Sequence, residues 1–314
     1  MANIIKKLPI PIAGLMLSLA SLGNLLSSYN IMFKNICGTI AGIILILMII
    51  KLATNLKVWQ KDLENPLIAS VTPTFFMALM VLSGYIKPFS PKFAFLIWAV
   101  SIIAHIIYIL FFTNKFILNF DIKKILPSYF IVYVGLAAAC LSAPAFKMQT
   151  VGQIIFWFAF ISYLILLPVT LYRTFKYKEF AEPALPSIAI FTAPANLCLA
   201  GYLSSFTNKS IFIVSFLGIL SFIMFILVIL YLPKMLKIKF YPSYSCFTFP
   251  FVITAIAMKS TNLFLKKSGK AISILPQYTK FLEILSIVIV LYVLVRYLMF
   301  LTSKDNTIKV QKTA

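Results

Sequence analysis

The sequence predicts an all-α integral membrane protein: ten transmembrane helices paired as five helical hairpins, with the odd-numbered helices turned toward the middle. Three observations predict it. Of the 314 residues, 62% are hydrophobic and only 11% charged, with a mean hydropathy of +1.01, which is more apolar surface than a water-soluble core hides. The apolar residues fall in runs long enough to cross a bilayer, at roughly 20 residues per helix. Short and long links alternate between the runs, so consecutive runs pair as antiparallel neighbours.

In order, the predicted crossings span 8–29, 36–53, 66–86, 93–112, 127–146, 151–172, 185–206, 211–232, 242–258 and 277–301, one membrane domain covering 1–314. KPFSPK, KMQT and TNKS are the short turns after the third, fifth and seventh. Even-numbered runs, such as AGIILILMII and SFLGILSFIMFILVILYL, are bulky and nearly free of polar groups, a composition suited to lipid. Odd-numbered runs carry small and polar residues: LPIPIAGLMLSLASLGNLL in the first, VGLAAACLSAP in the fifth, TAPANLCLAGY in the seventh. Small residues let helices approach closely.

Three odd runs also hold a proline at similar depth. Pro73 has Thr72 and Thr74 beside it and Phe75 and Phe76 after it; Pro194 follows Phe191 and Thr192; Pro250 follows Phe247, Thr248 and Phe249. A proline inside a helix removes a backbone hydrogen bond and kinks the axis. In lipid the freed carbonyl is tolerated only against neighbouring helices or water. Pro73, Thr72, Thr74, Phe76, Pro194, Thr192, Thr248 and Pro250 are therefore the expected kink and pore-lining positions, and the Phe249 ring, just before a kink, is placed to close a narrow path by excluding water.

The formal net charge is +21, but the lysines stand singly or in twos and threes between apolar runs, which excludes a nucleic-acid face. Of the 28 Lys and Arg, 18 fall on the side of the two termini, Lys304, Lys309 and Lys312 among them, and 10 on the other. The excess predicts cytoplasmic N- and C-termini. Lysine at both mouths raises the local anion concentration and repels cations; the same lysines also suit anionic lipid headgroups.

Catalytic chemistry has little to stand on. Cys37, Cys140, Cys198 and Cys246 show no CxxC spacing and read as packing residues, with neither a metal nor a cofactor expected. His105, the single histidine, lies on a lipid-type helix and reads as a packing or interface residue. Asp62, Glu64, Asp121, Glu179, Glu182 and Asp305 fall in links or the tail. Glu283 is the intramembrane acid, at helical spacing from Lys280, where a local ion pair and a proton-coupling carboxylate are both open. An enzyme needs clustered polar residues at membrane depth, and none is seen. The remaining rivals to a passive path are a proton-coupled carrier and a structural membrane subunit.

FTFP at 247–250, followed by TAIAM, is similar to the ninth-helix motif of the tellurite-resistance/dicarboxylate transporter family, which includes TehA-like bacterial anion channels, yeast malate and sulfite transporters and plant slow anion channels. LPIPIAGLMLSLASLGNL, NPLIASVTPTFFMAL and FTAPANLCLAGY resemble its first, third and seventh helices. The resemblance implies five hairpins in a ring, a central pore lined by odd helices in each protomer, a homotrimer in the plasma membrane, and a phenylalanine gate at Phe249, with Phe247 as the other candidate. The expected cargo is inorganic anions or C4-dicarboxylates such as malate; the alternative is a proton-coupled carrier or exporter of dicarboxylate, sulfite, tellurite or another metabolite, with Glu283 as its titrating group. Tyr244, Ser245 and Cys246 stand where the family frequently carries tryptophan or an aromatic pair.

Overall fold

A computed structural model describes residues 2–178 and 180–303, the side chains of residues 2 and 3 aside. Glu179, Asp305, Lys304, Lys309 and Lys312 lie outside the described residues. Every regular element among the described residues is helical. Among the described residues, nine helical segments are long and apolar enough to cross a membrane: Ile31–Thr54, Pro66–Ile86, Pro91–Ile117, Tyr129–Phe146, Gln149–Tyr177, Glu182–Ser205, Ile211–Leu236, Pro242–Lys267 and Leu275–Thr302. A shorter apolar helix, Ile12–Leu26, precedes them. With that helix counted as the first, these are the second to tenth segments. The ninth runs on to Lys267 instead of stopping near residue 258, because TNLFLKK continues the helix beyond the apolar run.

Burial separates the segments by parity. Between 22% and 39% of the residues in the apolar stretch of each even segment are buried, against 61% to 94% in the third, fifth, seventh and ninth. In the first, every residue of Ile12–Leu26 except Asn24 is buried. The small residues of the odd runs thus do what their size permits, packing backbone against backbone in the interior. Bulky faces such as Ile219, Leu230 and Phe212 of the eighth segment remain exposed, as lipid contact requires.

Continuity follows the same parity. The second, sixth, eighth and tenth segments are single α-helices, and the fourth is one that ends in a π turn, Thr113–Ile117. All five odd segments are broken. Helix Ala2–Lys7 is separated from Ile12–Leu26 by a turn holding Pro9 and Pro11; Pro66–Val71 and Thr74–Ile86 meet at Thr72 and Pro73. The fifth alternates α and 3-10 stretches, and the seventh and ninth begin as 3-10 helix, Glu182–Thr192 and Pro242–Phe247, before becoming α-helical at Ala193 and Thr248.

Pro73, Pro194 and Pro250 therefore do not sit in α-helix interiors, as a mid-helix kink would require. Pro73 is the N-cap of its second half, and Pro194 and Pro250 fall in the first turn of theirs. The missing N–H there is one that a helix start leaves without an intrahelical partner anyway. Side chains take up carbonyls around the breaks: Thr254 Oγ1 donates to the Pro250 carbonyl (2.7 Å), Asn196 Nδ2 to that of Thr192 (2.7 Å), Thr248 Oγ1 to that of Ser245 (2.7 Å) and Thr74 Oγ1 to that of Val71 (2.7 Å).

Each expected hairpin pair is in contact, and so are the first and third, third and fifth, fifth and seventh, seventh and ninth, and ninth and first segments. Polar clasps mark several of these seams. Ser18 Oγ and Thr248 Oγ1 are 2.6 Å apart, Ser70 Oγ and Ser128 Oγ 2.6 Å, and Asn196 Nδ2 donates to Thr254 Oγ1 at 2.9 Å. Lys7 Nζ donates to the Ser303 carbonyl (2.7 Å), so the chain leaves the tenth segment at the end where it entered the first.

Candidate functional site

The five odd segments enclose one small cavity. Gly14 of the first, Val71, Thr74 and Met77 of the third, Ile131 of the fifth, Ile190 and Ala193 of the seventh, and Ser245, Cys246, Phe249 and Pro250 of the ninth form its wall. The lining concentrates at the breaks, where a helix changes pitch and its backbone turns inward. Gly14 is there for closeness: a Cβ at that position would lie 3.1 Å from Ser245 Cβ, so the glycine lets the first and ninth segments meet. The cavity measures about 30 Å³, room for about one water. Its polar groups are hydroxyls and a thiol, and no charged side chain lines it among the described residues.

The positions singled out by sequence divide by direction. Phe249 (6% exposed), Thr74 and Pro250 line the cavity. Pro73, Pro194, Thr72, Thr192 and Thr248 are buried near it without lining it. Their hydroxyls are engaged, Thr72 with the Ile68 carbonyl (2.8 Å) and Thr192 with that of Ala189 (3.0 Å). Phe247 is fully buried and packs edge-on against Tyr244, with ring centroids 5.1 Å apart. Phe76 faces the fourth segment, 6.0 Å from His105 and 5.9 Å from Tyr108.

Glu283 lies away from the cavity wall, in a cluster joining the first, ninth and tenth segments. Its Oε1 accepts from Lys259 Nζ (2.9 Å), its Oε2 from the Tyr29 hydroxyl (2.6 Å), and Lys280 Nζ stands 3.9 Å off. Lys259 also donates to Ser28 Oγ (2.8 Å) and the Leu25 carbonyl (3.3 Å). The i,i+3 spacing gave Lys280; Lys259 and Tyr29 come from distant segments and leave no local signal.

His105 is fully buried, and its Nε2 lies 2.9 Å from the carbonyl of Val132. That carbonyl precedes the 3-10 stretch Val134–Ala137, which itself holds no proline, so the imidazole serves the break there. The four cysteines are free thiols, and the described residues contain no group of three or more His, Cys, Asp or Glu able to hold a metal.

A small cavity without charge, lined by five broken segments, is the geometry beside which the family match stands. The model of the SLAC1, voltage-dependent anion channel family matches residues 7–301, from the turn before the first segment to the end of the tenth. The chain belongs to the voltage-dependent anion channel family. No curated protein matches it with significance. Voltage-dependent anion channel family members are channels or transporters of anions, so the chain is a multi-pass membrane protein of anion transport.

Proposed function

We propose that the chain passes small anions along the axis of a ring of five hairpins, and that the Phe249 ring closes the path. The observation that carries this reading is the cavity to which all five odd segments contribute and at which Phe249 stands. Cyclic contact among the odd segments supports the ring. A wall of hydroxyls and apolar groups binds an ion only weakly, which suits passage better than capture. Sign selectivity is assigned to lysine at the mouths, cargo to inorganic anions or C4-dicarboxylates such as malate, and the setting to a plasma membrane with both termini cytoplasmic and three copies assembled. Substrate flux into liposomes of purified protein tests it, with chloride, nitrate, malate and sulfite offered with and without a voltage or proton gradient. Passive, anion-selective flux is expected.

A second reading, proton-coupled carriage of dicarboxylate, sulfite, tellurite or another metabolite, rests on the burial of Glu283 (2% exposed). Its two oxygens already engage a lysine and a tyrosine, which favours the ion-pair role.

A further inference from the structure

We propose that the cleft between the sixth and eighth segments is a binding site for an anionic phospholipid. It is a cavity of about 300 Å³, ten times the axial one in volume and the size of a small-molecule site. Phe175 of the sixth segment faces Leu227 and Val228 of the eighth across it, and Ile188 and Phe191 of the seventh form its floor. These walls match a length of acyl chain.

Charge lies at one end. Lys178 caps the C-terminus of the sixth helix and Lys234 occupies the last turn of the eighth; both line the cleft. Even segments run in the same direction, so both lysines mark the same face of the bundle, at the depth where helices leave the hydrocarbon. Lys234 Nζ lies 5.2 Å from the centre of the Tyr231 ring, and no described carboxylate pairs with either lysine. Thr174 Oγ1, on the cleft wall, is buried without a hydrogen-bond partner among the described residues, a donor suited to a glycerol ester carbonyl. A phosphate diester between two ammonium groups, an ester at the hydroxyl and a chain in the apolar cleft satisfy all three features; a free phosphate leaves the apolar part unmatched. The inference does not depend on the axis being conductive.

Native mass spectrometry of the delipidated full chain, titrated with phosphatidylglycerol, phosphatidylcholine or inorganic phosphate, tests it. Phosphatidylglycerol should bind more tightly than phosphatidylcholine. At about fivefold per juxtamembrane lysine, the double variant Lys178→Gln/Lys234→Gln should weaken it about 25-fold, with phosphatidylcholine unaffected. Leu227→Trp, which fills the cleft and leaves the charges, should reduce retention of both lipids while the protein stays monodisperse. Equal retention of the two lipids, wild-type affinity in the double variant, or displacement by phosphate at equal concentration would overturn the proposal. So would Leu227→Trp dissociating an oligomer without altering lipid retention, which would make the cleft a seam between copies.

Discussion

Phe249→Ala is the perturbation that bears most directly on the proposed gate. The ring is 6% exposed and forms part of the wall of a cavity of about 30 Å³. Opening the path means turning that ring out of its packed site into water. Exposing a buried phenylalanine costs about 1.5–3 kcal/mol, which at about 1.4 kcal/mol per tenfold leaves the open arrangement at roughly 1–10% of the population. Truncation to alanine removes that cost, so anion flux should rise about tenfold to a hundredfold. The same change forfeits packing, at roughly 3–5 kcal/mol for a buried phenylalanine, so flux must be normalised to incorporated, folded protein. Chloride efflux from proteoliposomes, read with a chloride-sensitive dye, is the assay. Phe247→Ala is the matched control: it deletes an equally buried ring that lies against Tyr244 and not on the cavity, and should lower thermal stability with no gain in flux. Equal efflux from Phe249→Ala and wild type at equal incorporation would refute the reasoning, and so would an equal gain from Phe247→Ala.

Other perturbations test the supporting structure. His105→Leu strips the Val132 carbonyl of its partner and should cost about 1–3 kcal/mol in thermal unfolding in detergent, with His105→Gln restoring part of it. Glu283→Gln should lower the melting temperature, because Lys259 loses its counter-charge and only one of the two oxygens that accept from Lys259 and Tyr29 remains, and should leave any pH dependence of uptake intact; loss of that dependence would favour the proton-coupled reading. Gly38→Val drives a side chain into the Tyr85 ring, whose hydroxyl donates to the Ala20 carbonyl (2.5 Å), and should destabilise by about 1–3 kcal/mol on the same measurement.

Parity was legible in the sequence because it is a matter of composition. TAPANLCLAGY and SFLGILSFIMFILVILYL differ enough in side-chain size and polarity to put the seventh segment inside and the eighth outside. The breaks were legible where a proline marks them, at 73, 194 and 250, and hidden in the middle of the fifth segment, where the turn of pitch around Gly135 is supported by a histidine that contacts the carbonyl of Val132, 27 residues further along the chain. Direction around the helix was not legible. Thr72, Thr74 and Phe76 share a depth, but successive residues turn by about 100°, so Thr74 reaches the cavity while Phe76 meets the fourth segment. Depth alone groups residues that the helix then distributes around its circumference. The hydroxyls beside the prolines had two possible partners, water or carbonyls, and carbonyls within the same turn take them.

The proposed path, without charge on its wall, still needs a reason to prefer one sign, and the first segment supplies a physical one. Its helix of 15 residues rises about 22 Å, short of a hydrocarbon core of about 30 Å, so both of its ends lie where unpaired backbone groups are costly. Lysines meet the carbonyls on either side: Lys51 donates to those of Lys6 and Leu8 in the stretch leading into the helix, and Lys259 to that of Leu25 at its C-terminus. Lys259 shares a helix with Phe249, ten residues and about 15 Å along it. At that distance one positive charge attracts an anion at the constriction by about 0.3 kcal/mol in water and about 1 kcal/mol at a protein-like dielectric of about 20. Glu283 offsets part of this at Lys259 and Lys280 together, leaving that cluster with one net positive charge. On the proposed path, satisfying the carbonyls on either side of a short inner helix and biasing the route toward anions are one arrangement of the same side chains, and no charge has to enter the proposed constriction itself.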